Sequence, residues 1–456
     1  MNRKTSIRSA IAIAVIVSLS LFGIQPAQAS HNGNSKKKHM DCAQRNAALA
    51  FGKKKEKCTV INIWSFGNVI QKWGEETFED NNKSIAIKVK KNSMDANHTS
   101  LITAFKANTT PDIAAIEVSY SGLFRSYPKY FTDLKGLLNA SDYLDWRWDQ
   151  GVAKDGKVIG IPTDVGGLQV AYRKDLFEKH GLPTDRDEVG KLWPTWQAFI
   201  NTGKRYVDNL TAGEKTSCKV KKVCYSFIDN AGTIYPAILN QGTKKYYESN
   251  GTTLIYGTNA NVKTAFTTTA LAMNSGISTR INQFTSDWNA GLLKGVFSTV
   301  LAPAWMLDYI KQQGGKTSGK WDVADLPGGG GNLGGSQLTV PIASKHPAEA
   351  KAFIKWYLSP AIQLEIFKRY GLFPSAKSLY TNTALTGYKD KFFSNAPIGQ
   401  IYVTGVRQLR PIFEGKNQRA IDNYFGQALA KVAVGKMTAS AAWDDAIKQI
   451  SKNIKN

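Results

Sequence analysis

Residues 156–183, GKVIGIPTDVGGLQVAYRKDLFEKHGLP, restrict the fold more than any other part of the chain. The apolar run 158–164, marked by Gly156 and Pro162, reads as a strand entering a turn. Gly166 and Gly167 free the backbone to change direction, and residues 168–172 read as a second short strand. A helix then starts over residues 174–179, and Gly181 and Pro183 end it. Strand, glycine-softened polar turn, strand and helix, in that order, suit a chain leaving one lobe and entering another. An ordinary surface loop carries the same local pattern, so the rest of the sequence has to decide. Length asks for two or more domains, because 456 residues exceed what one hydrophobic core organises.

The N-terminus carries Arg3, Lys4 and Arg8, an apolar run over 10–24, and then Pro26-Ala27-Gln28-Ala29. This is the pattern of a secretory signal peptide over residues 1–29, cleaved before Ser30. The apolar run is short for a membrane span, and no cysteine stands at the cleavage point to take a lipid. Export permits disulfides, and the four cysteines form two sequence-close pairs, Cys42 with Cys58 and Cys218 with Cys224. A metal site is the rival, but thiolates this far apart in the sequence, with no clustered Cys/His motif, make it the weaker reading. The formal charge of +24 invites a nucleic-acid reading. The lysines are nevertheless scattered apart from clusters at 36–38, 53–55 and 219–222, none interleaved with aromatics as a stacking platform is. The charge therefore predicts a solvated basic surface and an irregular basic arm over 30–58.

From residue 59 onward the chain alternates strands and helices. Residues 59–64 read as a strand, Ser65-Phe66-Gly67-Asn68 as a turn, and 69–80 as a helix. A strand over 84–90, a helix over 99–108 and a strand over 113–118 follow, the last preceded by Pro111-Asp112. Such an order gives parallel β-α-β units, whose ligands lie beyond the carboxyl ends of the strands. Further on come a helix over 193–206, the strand-turn-helix segment 225–243, and helices over 261–276 and 279–290. A strand over 295–301 leads into Ala302-Pro303-Ala304-Trp305. Then follow WDVADLP at 321–327, a glycine-rich loop at 328–335, a strand over 336–342, and helices over 347–358 and 360–370. Residues 418–454 give two helices broken at Gly435.

The crossover segment, Trp193-Pro194-Thr195-Trp196, Pro111-Asp112, Tyr235-Pro236, WDVADLP and the late Gly371-Leu372-Phe373-Pro374 turn together resemble one family. It is the extracellular solute-binding proteins of ABC importers, in the carbohydrate-binding group (family 1) that includes maltose-binding protein. The resemblance implies an α/β, two-lobed periplasmic-binding-protein fold, each lobe a β-sheet flanked by helices, with the ligand cleft between lobes. It divides the chain into a first lobe of 59–165 and 337–378 and a second of 166–336 and 379–456, which takes in the C-terminal helices. It also implies a carbohydrate ligand and the residues that meet it. Phe66 and Asn68 stand in the first strand-to-helix turn, and Glu117, Ser119 and Tyr120 just beyond the third strand. Asp164, Gly335 and Ser336 stand at the crossovers, and Asn230 where maltose-binding protein has an acidic sugar contact. Tyr235 belongs to the aromatic-proline pair, Tyr424 and Arg407 are secondary candidates, and Trp305 stands where the family places a sugar-stacking indole. The implied protein is a monomeric, exported, periplasmic or surface receptor that partners membrane permease subunits. It is no enzyme and needs no cofactor or metal.

Other motifs are weaker. Gly329-x-Gly331-x-x-Gly334 fits a dinucleotide fingerprint by letter but precedes a strand instead of opening a helix. Gly314 to Lys320 approaches a phosphate loop, with Trp321 replacing the needed hydroxyl. Tyr246-Tyr247 resembles the tyrosine pair of ferric-ion binding proteins, though residues 243–257 read as a surface hairpin. A secreted glycan-degrading enzyme needs two carboxylates across a cleft, and Glu117 with Asp164 is the pair to suspect. The sequence thus favours a carbohydrate-capturing transport component, with a glycan-degrading enzyme and a ferric-ion or other small-solute binder as alternatives.

Overall fold

Runs of β-branched and small apolar residues become the strands of two separate sheets. The structure, a computed structural model, describes residues 39–220 and 224–455. The proposed signal peptide lies outside the described residues. The first sheet has the order β2-β1-β3-β9-β4. Its members are β1 (Thr59–Phe66), β2 (Ile85–Asn92), β3 (Ile113–Glu117), β4 (Ile161–Pro162) and β9 (Ser336–Thr339). Strands β1, β2 and β3 run parallel, and β9 lies antiparallel between β3 and β4. The second sheet, ordered β6-β7-β5-β8, holds β5 (Leu168–Arg173), β6 (Ser226–Ile228), β7 (Phe297–Pro303) and β8 (Trp321–Ala324). One sheet is therefore completed by a strand that returns from beyond the other.

Alternation explains the layering. In β3, Ile113 and Ala115 face a core with Ile61, Ile63, Phe353 and Tyr357. Ala114 and Ile116 face another with Leu101, Phe124 and Phe131. Every residue of β3 is buried, as a central strand covered on both faces requires. The second sheet is likewise covered by two cores, one around Phe177, Trp193 and Phe227, the other around Trp288, Trp321 and Tyr402.

Helix α1 (Cys42–Ala47) precedes β1; the helices that matter for the site are α2 (Lys72–Asn81), α3 (Met94–Ala107) and α4 (Val118–Arg125) after the first three strands, and Gln418–Ala433 near the C-terminus. Helix Gln418–Ala433 packs with Ala439–Asn453 and Ala260–Asn274. It contributes Ile421, Phe425 and Leu429 to the core of the second sheet.

Three sequence expectations change. The basic arm is not wholly irregular: Cys42–Ala47 is a helix, capped by Asp41 in a capping box with Gln44. It is fastened by the Cys42 to Cys58 disulfide, S–S 2.02 Å, and Cys218 is joined to Cys224 at 2.01 Å. The strand expected over 158–164 shrinks to Ile161–Pro162, since Pro162 has no N–H to offer a ladder. The helix expected over 279–290 begins only at Ser286, capped by Thr285. Arg280 and Phe284 take left-handed φ of 62° and 66°, so 277–285 is a loop.

Candidate functional site

Three chain segments connect the two sheets, and they run side by side. Val165 N–H donates to the Phe373 carbonyl at 3.0 Å, and Leu333 N–H to the Gly166 carbonyl at 2.7 Å. A Cβ on Gly166 would collide with that same Leu333 carbonyl, so the close approach needs glycine. Arg147, fully buried, ties the segments together. Its guanidinium donates to the Asp164 carbonyl at 3.1 Å, the Ser336 carbonyl at 2.5 Å and Gln150 Oε1 at 2.7 Å.

This bundle corrects part of the predicted site. Asp164 is 4 % exposed, and its carboxylate accepts from Ser336 N–H at 3.0 Å and the Thr163 hydroxyl at 2.5 Å. Burial raises its pKa above the ordinary carboxylate value. Ser336 N–H and carbonyl are both engaged within the bundle, and the Gly335 carbonyl accepts from Val118 N–H at 3.0 Å. These three residues build the connection between sheets instead of offering free groups to a ligand.

Beyond β3, Glu117 caps α4, accepting from Ser119 N–H at 2.8 Å and from the Ser119 hydroxyl. Burial pushes its carboxyl up to about 6. Glu117 pairs in register with Ser336, so Glu117 and Asp164 both bond to protein donors around one hinge strand. Two carboxylates flanking an open cleft, as glycoside hydrolysis requires, are not what this arrangement offers. Next to them, the Tyr120 ring stacks on His98, centroids 3.9 Å apart and 4° from parallel. Its hydroxyl donates to Asp95 at 2.6 Å. Asp95 also takes both arms of Arg419, at 3.1 and 3.0 Å, from helix Gln418–Ala433. His98 is held neutral, its pKa lowered to about 4 by burial, and its Nε2 accepts from Glu117 N–H at 2.9 Å.

At the end of β1, Phe66 is mostly buried against His98, ring centroids 5.3 Å apart. Asn68 follows, half-buried, its carbonyl accepting from Gln71 and its side chain without a partner among the described residues.

The second sheet presents a different surface. Trp305, half-buried, follows β7 and donates from Nε1 to the Leu333 carbonyl at 3.2 Å. It therefore touches the segment that leads into β9, whose first residue, Ser336, pairs with Glu117. Its indole lies near-parallel to Phe284, centroids 6.2 Å apart and 27° inclined. Phe284 is 49 % exposed. Asn230 caps the next turn, its Oδ1 accepting from Gly232 N–H at 2.8 Å, and donates to Asn282 Oδ1 at 3.3 Å. Asn282 is exposed. Beneath them Asp229, fully buried, accepts from Trp288 Nε1 at 2.8 Å and Gln283 at 2.9 Å, which pins the loop. Trp305, Phe284, Asn230 and Asn282 thus form two rings beside two amides. Phe284 and Asn282 escape the sequence reading because their loop was expected to be helix. The Thr285-Ser286-Asp287-Trp288 cap signal marks the true start.

The remaining predicted residues lie elsewhere. Tyr235 is core: its ring packs near Phe425 and its hydroxyl meets that of Tyr246 at 2.9 Å. Tyr246 in turn donates to Asp422 at 2.7 Å. Tyr246 and Tyr247 are both buried, and burial raises both phenols. The hairpin expected over 243–257 forms, Tyr247 pairing with Leu254 and the tip exposed, but both tyrosines turn into the core as structural hydroxyls. Tyr424 packs, half-buried, against the same core. Arg407 donates to the Tyr380 carbonyl at 3.3 Å.

Two cavities, of about 620 and 410 Å³, open beside this region. Arg125, Val152 and Phe413 line both, and no predicted ligand residue lines either. The larger one is lined by Gly122 of α4 and by Glu414 and Gly415, at the seam where Gly122 meets their backbone. Arg125 donates across that seam to the Glu414 carbonyl at 2.6 Å and covers the Phe413 ring, 4.3 Å from its centroid. Among the described residues, no group of three or more His, Cys, Asp or Glu could hold a metal ion. None of the described helices is long and apolar enough to cross a membrane.

Comparison with known proteins agrees with this architecture. Residues 75–395 match the family described as bacterial extracellular solute-binding protein. The chain is 28 % identical over 259 residues to the lactose-binding protein of Rhizobium radiobacter, covering 54 % of this chain and 56 % of that one. It is 25 % identical over 313 residues to the arabinooligosaccharide-binding protein of Bacillus subtilis (strain 168), covering 65 % and 68 %. The chain thus spans about half the length of the first of these curated relatives. A crystal structure of an extracellular solute-binding protein family 1 superposes with TM-score 0.73 at 31 % identity, covering 86 % of this chain and 99 % of that one. The ABC transporter associated binding protein from B. animalis subsp. lactis Bl-04, in complex with beta-1,6-galactobiose, superposes with TM-score 0.70 at 20 % identity, covering 87 % and 98 %.

Proposed function

The chain belongs to the bacterial extracellular solute-binding proteins, and from that membership we propose that it is the sugar-capturing component of an ABC importer. It takes up an oligosaccharide between two lobes, residues 59–165 with 337–378 and residues 166–336 with 379–456, and hands it to a membrane permease. The observation that carries this reading is the aromatic and amide face of Trp305, Phe284, Asn230 and Asn282, set against the hinge strand. A pyranose has an apolar face, which a ring covers, and a rim of hydroxyls, which amides meet as both donors and acceptors. Asn68, Ser119 and Tyr120 face the ligand from the first lobe in this reading. The relatives' names add support: lactose, arabino-oligosaccharides and beta-1,6-galactobiose are all neutral sugars.

The seam supplies the moving part. The three hinge segments hold the sheets together through backbone bonds, whereas Asp95–Arg419 and Gly122–Gly415 are contacts that opening breaks. A ligand bridging both lobes favours the seated arrangement and shifts the population towards it.

Calorimetric titration with lactose, beta-1,6-galactobiose, arabino-oligosaccharides and maltose tests the proposal, with chromatography of the recovered sugar. Stoichiometric binding of a sugar recovered intact is the expected result. Release of smaller sugars would make the protein a glycan-degrading enzyme, and binding of none of them would remove the carbohydrate reading.

A further inference from the structure

The loop between Cys42 and Cys58 carries a feature that sugar capture does not use. We propose that it is a peripheral membrane-docking element, which seats an aromatic tip and a lysine cluster on an anionic phospholipid surface.

Residues 50–53 form a tight turn, Lys53 N–H donating to the Ala50 carbonyl at 3.1 Å, with Gly52 at φ +84° in its third position. That turn holds Phe51 at its tip, fully exposed, and Leu49 beside it is 41 % exposed. Scattered apolar residues on a surface need no explanation, but a phenylalanine ring without cover at the apex of a turn is a different case. Directly behind it stand Lys53, Lys54, Lys55 and Lys57, all exposed. The loop's only acid, Glu56, is engaged by Arg45 at 2.6 Å, so it does not offset the lysines. The loop is also held in place. The disulfide closes it across 16 residues, and Arg45 donates to the Lys83 carbonyl at 2.6 Å beside β2. Exposed Lys88 and Lys90, on one face of β2, extend the positive charge along the sheet edge.

Charge complementarity selects an anionic partner, and the Phe51 tip selects a bilayer over a hydrated polyanion. An aromatic ring gains by entering the headgroup boundary, whereas a soluble polyanion offers it nothing. A short apolar anchor alone binds membranes marginally; paired with a polybasic patch it binds reversibly but usefully. Such an element would keep an exported receptor near its permease.

The test is co-sedimentation of the purified exported protein with vesicles of phosphatidylcholine containing 30 % phosphatidylglycerol, against pure phosphatidylcholine. Binding to the anionic vesicles is expected, with roughly tenfold or greater loss on pure phosphatidylcholine and a marked loss in high salt. Phe51→Ser and the triple variant Lys53→Gln, Lys54→Gln, Lys55→Gln should each weaken it roughly tenfold, with sugar affinity and thermal midpoint unchanged. Absence of binding to anionic vesicles overturns the proposal. So does binding that survives Phe51→Ser, which would reduce the effect to general charge attraction, and so does binding that survives the lysine variant. Sugar affinity is read on the same samples, so failure here leaves the transport reading intact.

Discussion

Replacing Trp305 with alanine separates a ligand-facing indole from a structural one. One edge of the ring is tied through Nε1 to the Leu333 carbonyl at 3.2 Å, and Phe284 lies 6.2 Å away, centroid to centroid. The open face is what a pyranose would cover. Burying on the order of 80–100 Å² there, at ~25 cal/mol per Å², contributes about 2–2.5 kcal/mol, or roughly fifty-fold in affinity. The same substitution also costs stability. Full burial of a tryptophan makes its loss worth about 3–5 kcal/mol; this half-buried indole, packed against two cores, should cost about half that. Trp305→Phe retains a ring but loses the donor, so it should keep most of the affinity. The assay is calorimetric titration with the sugar that binds wild type, after circular dichroism has shown each variant folded. A folded Trp305→Ala protein with wild-type affinity would refute the reasoning and make the indole a packing residue.

Three further substitutions probe the seam and the loop beneath the rings. Arg419→Ala breaks the paired bonds to Asp95; with Arg419 31 % and Asp95 57 % exposed, the loss should be ~0.5–1 kcal/mol, seen in titration as roughly two- to fivefold weaker sugar binding. Gly122→Ala puts a methyl group against the Glu414 and Gly415 carbonyls, so α4 cannot seat; affinity should fall at least roughly tenfold, with a near-normal unfolding midpoint by calorimetry. Burial pushes the Asp229 carboxyl up to about 6 from its ordinary 3.8, so the folded state holds its proton longer than the unfolded one. Its contribution is therefore fully present below about pH 4 and lost as pH rises through about 6. Denaturant titrations at pH 4 and pH 7 should show wild type losing up to about 3 kcal/mol relative to Asp229→Asn over that interval. Parallel pH curves for the two proteins would count against it.

The strands were legible where apolar residues run together because both faces are buried, as in Ile113 to Ile116 of β3 and Val170 to Tyr172 of β5. Helices with clear caps and breaks were legible too, such as Pro360–Tyr370 ending at Gly371 in a left-handed conformation. The site was less so, for two physical reasons. Aromatic-proline Tyr235 and crossover Asp164 are polar groups whose partners, Tyr246 and Ser336 N–H, are brought to them only by tertiary packing. No local pattern distinguishes a hydroxyl or carboxylate satisfied that way from one awaiting a ligand. Phe284 fails in the opposite direction, because its left-handed backbone interrupts an otherwise helical composition. Trp305 was singled out by resemblance, at the end of a strand and proline, and only the fold shows that Leu333 accepts its Nε1–H.

Capture by closure of two lobes is measured most directly by small-angle X-ray scattering of the protein with and without the sugar found by titration. The account predicts a radius of gyration that decreases when sugar saturates the protein, to a profile matching the structure in which Arg419 meets Asp95. Gly122→Ala should keep the larger radius even with sugar present. Identical profiles for wild type with and without bound sugar would contradict the account, because they would show a site filled without any movement of the lobes.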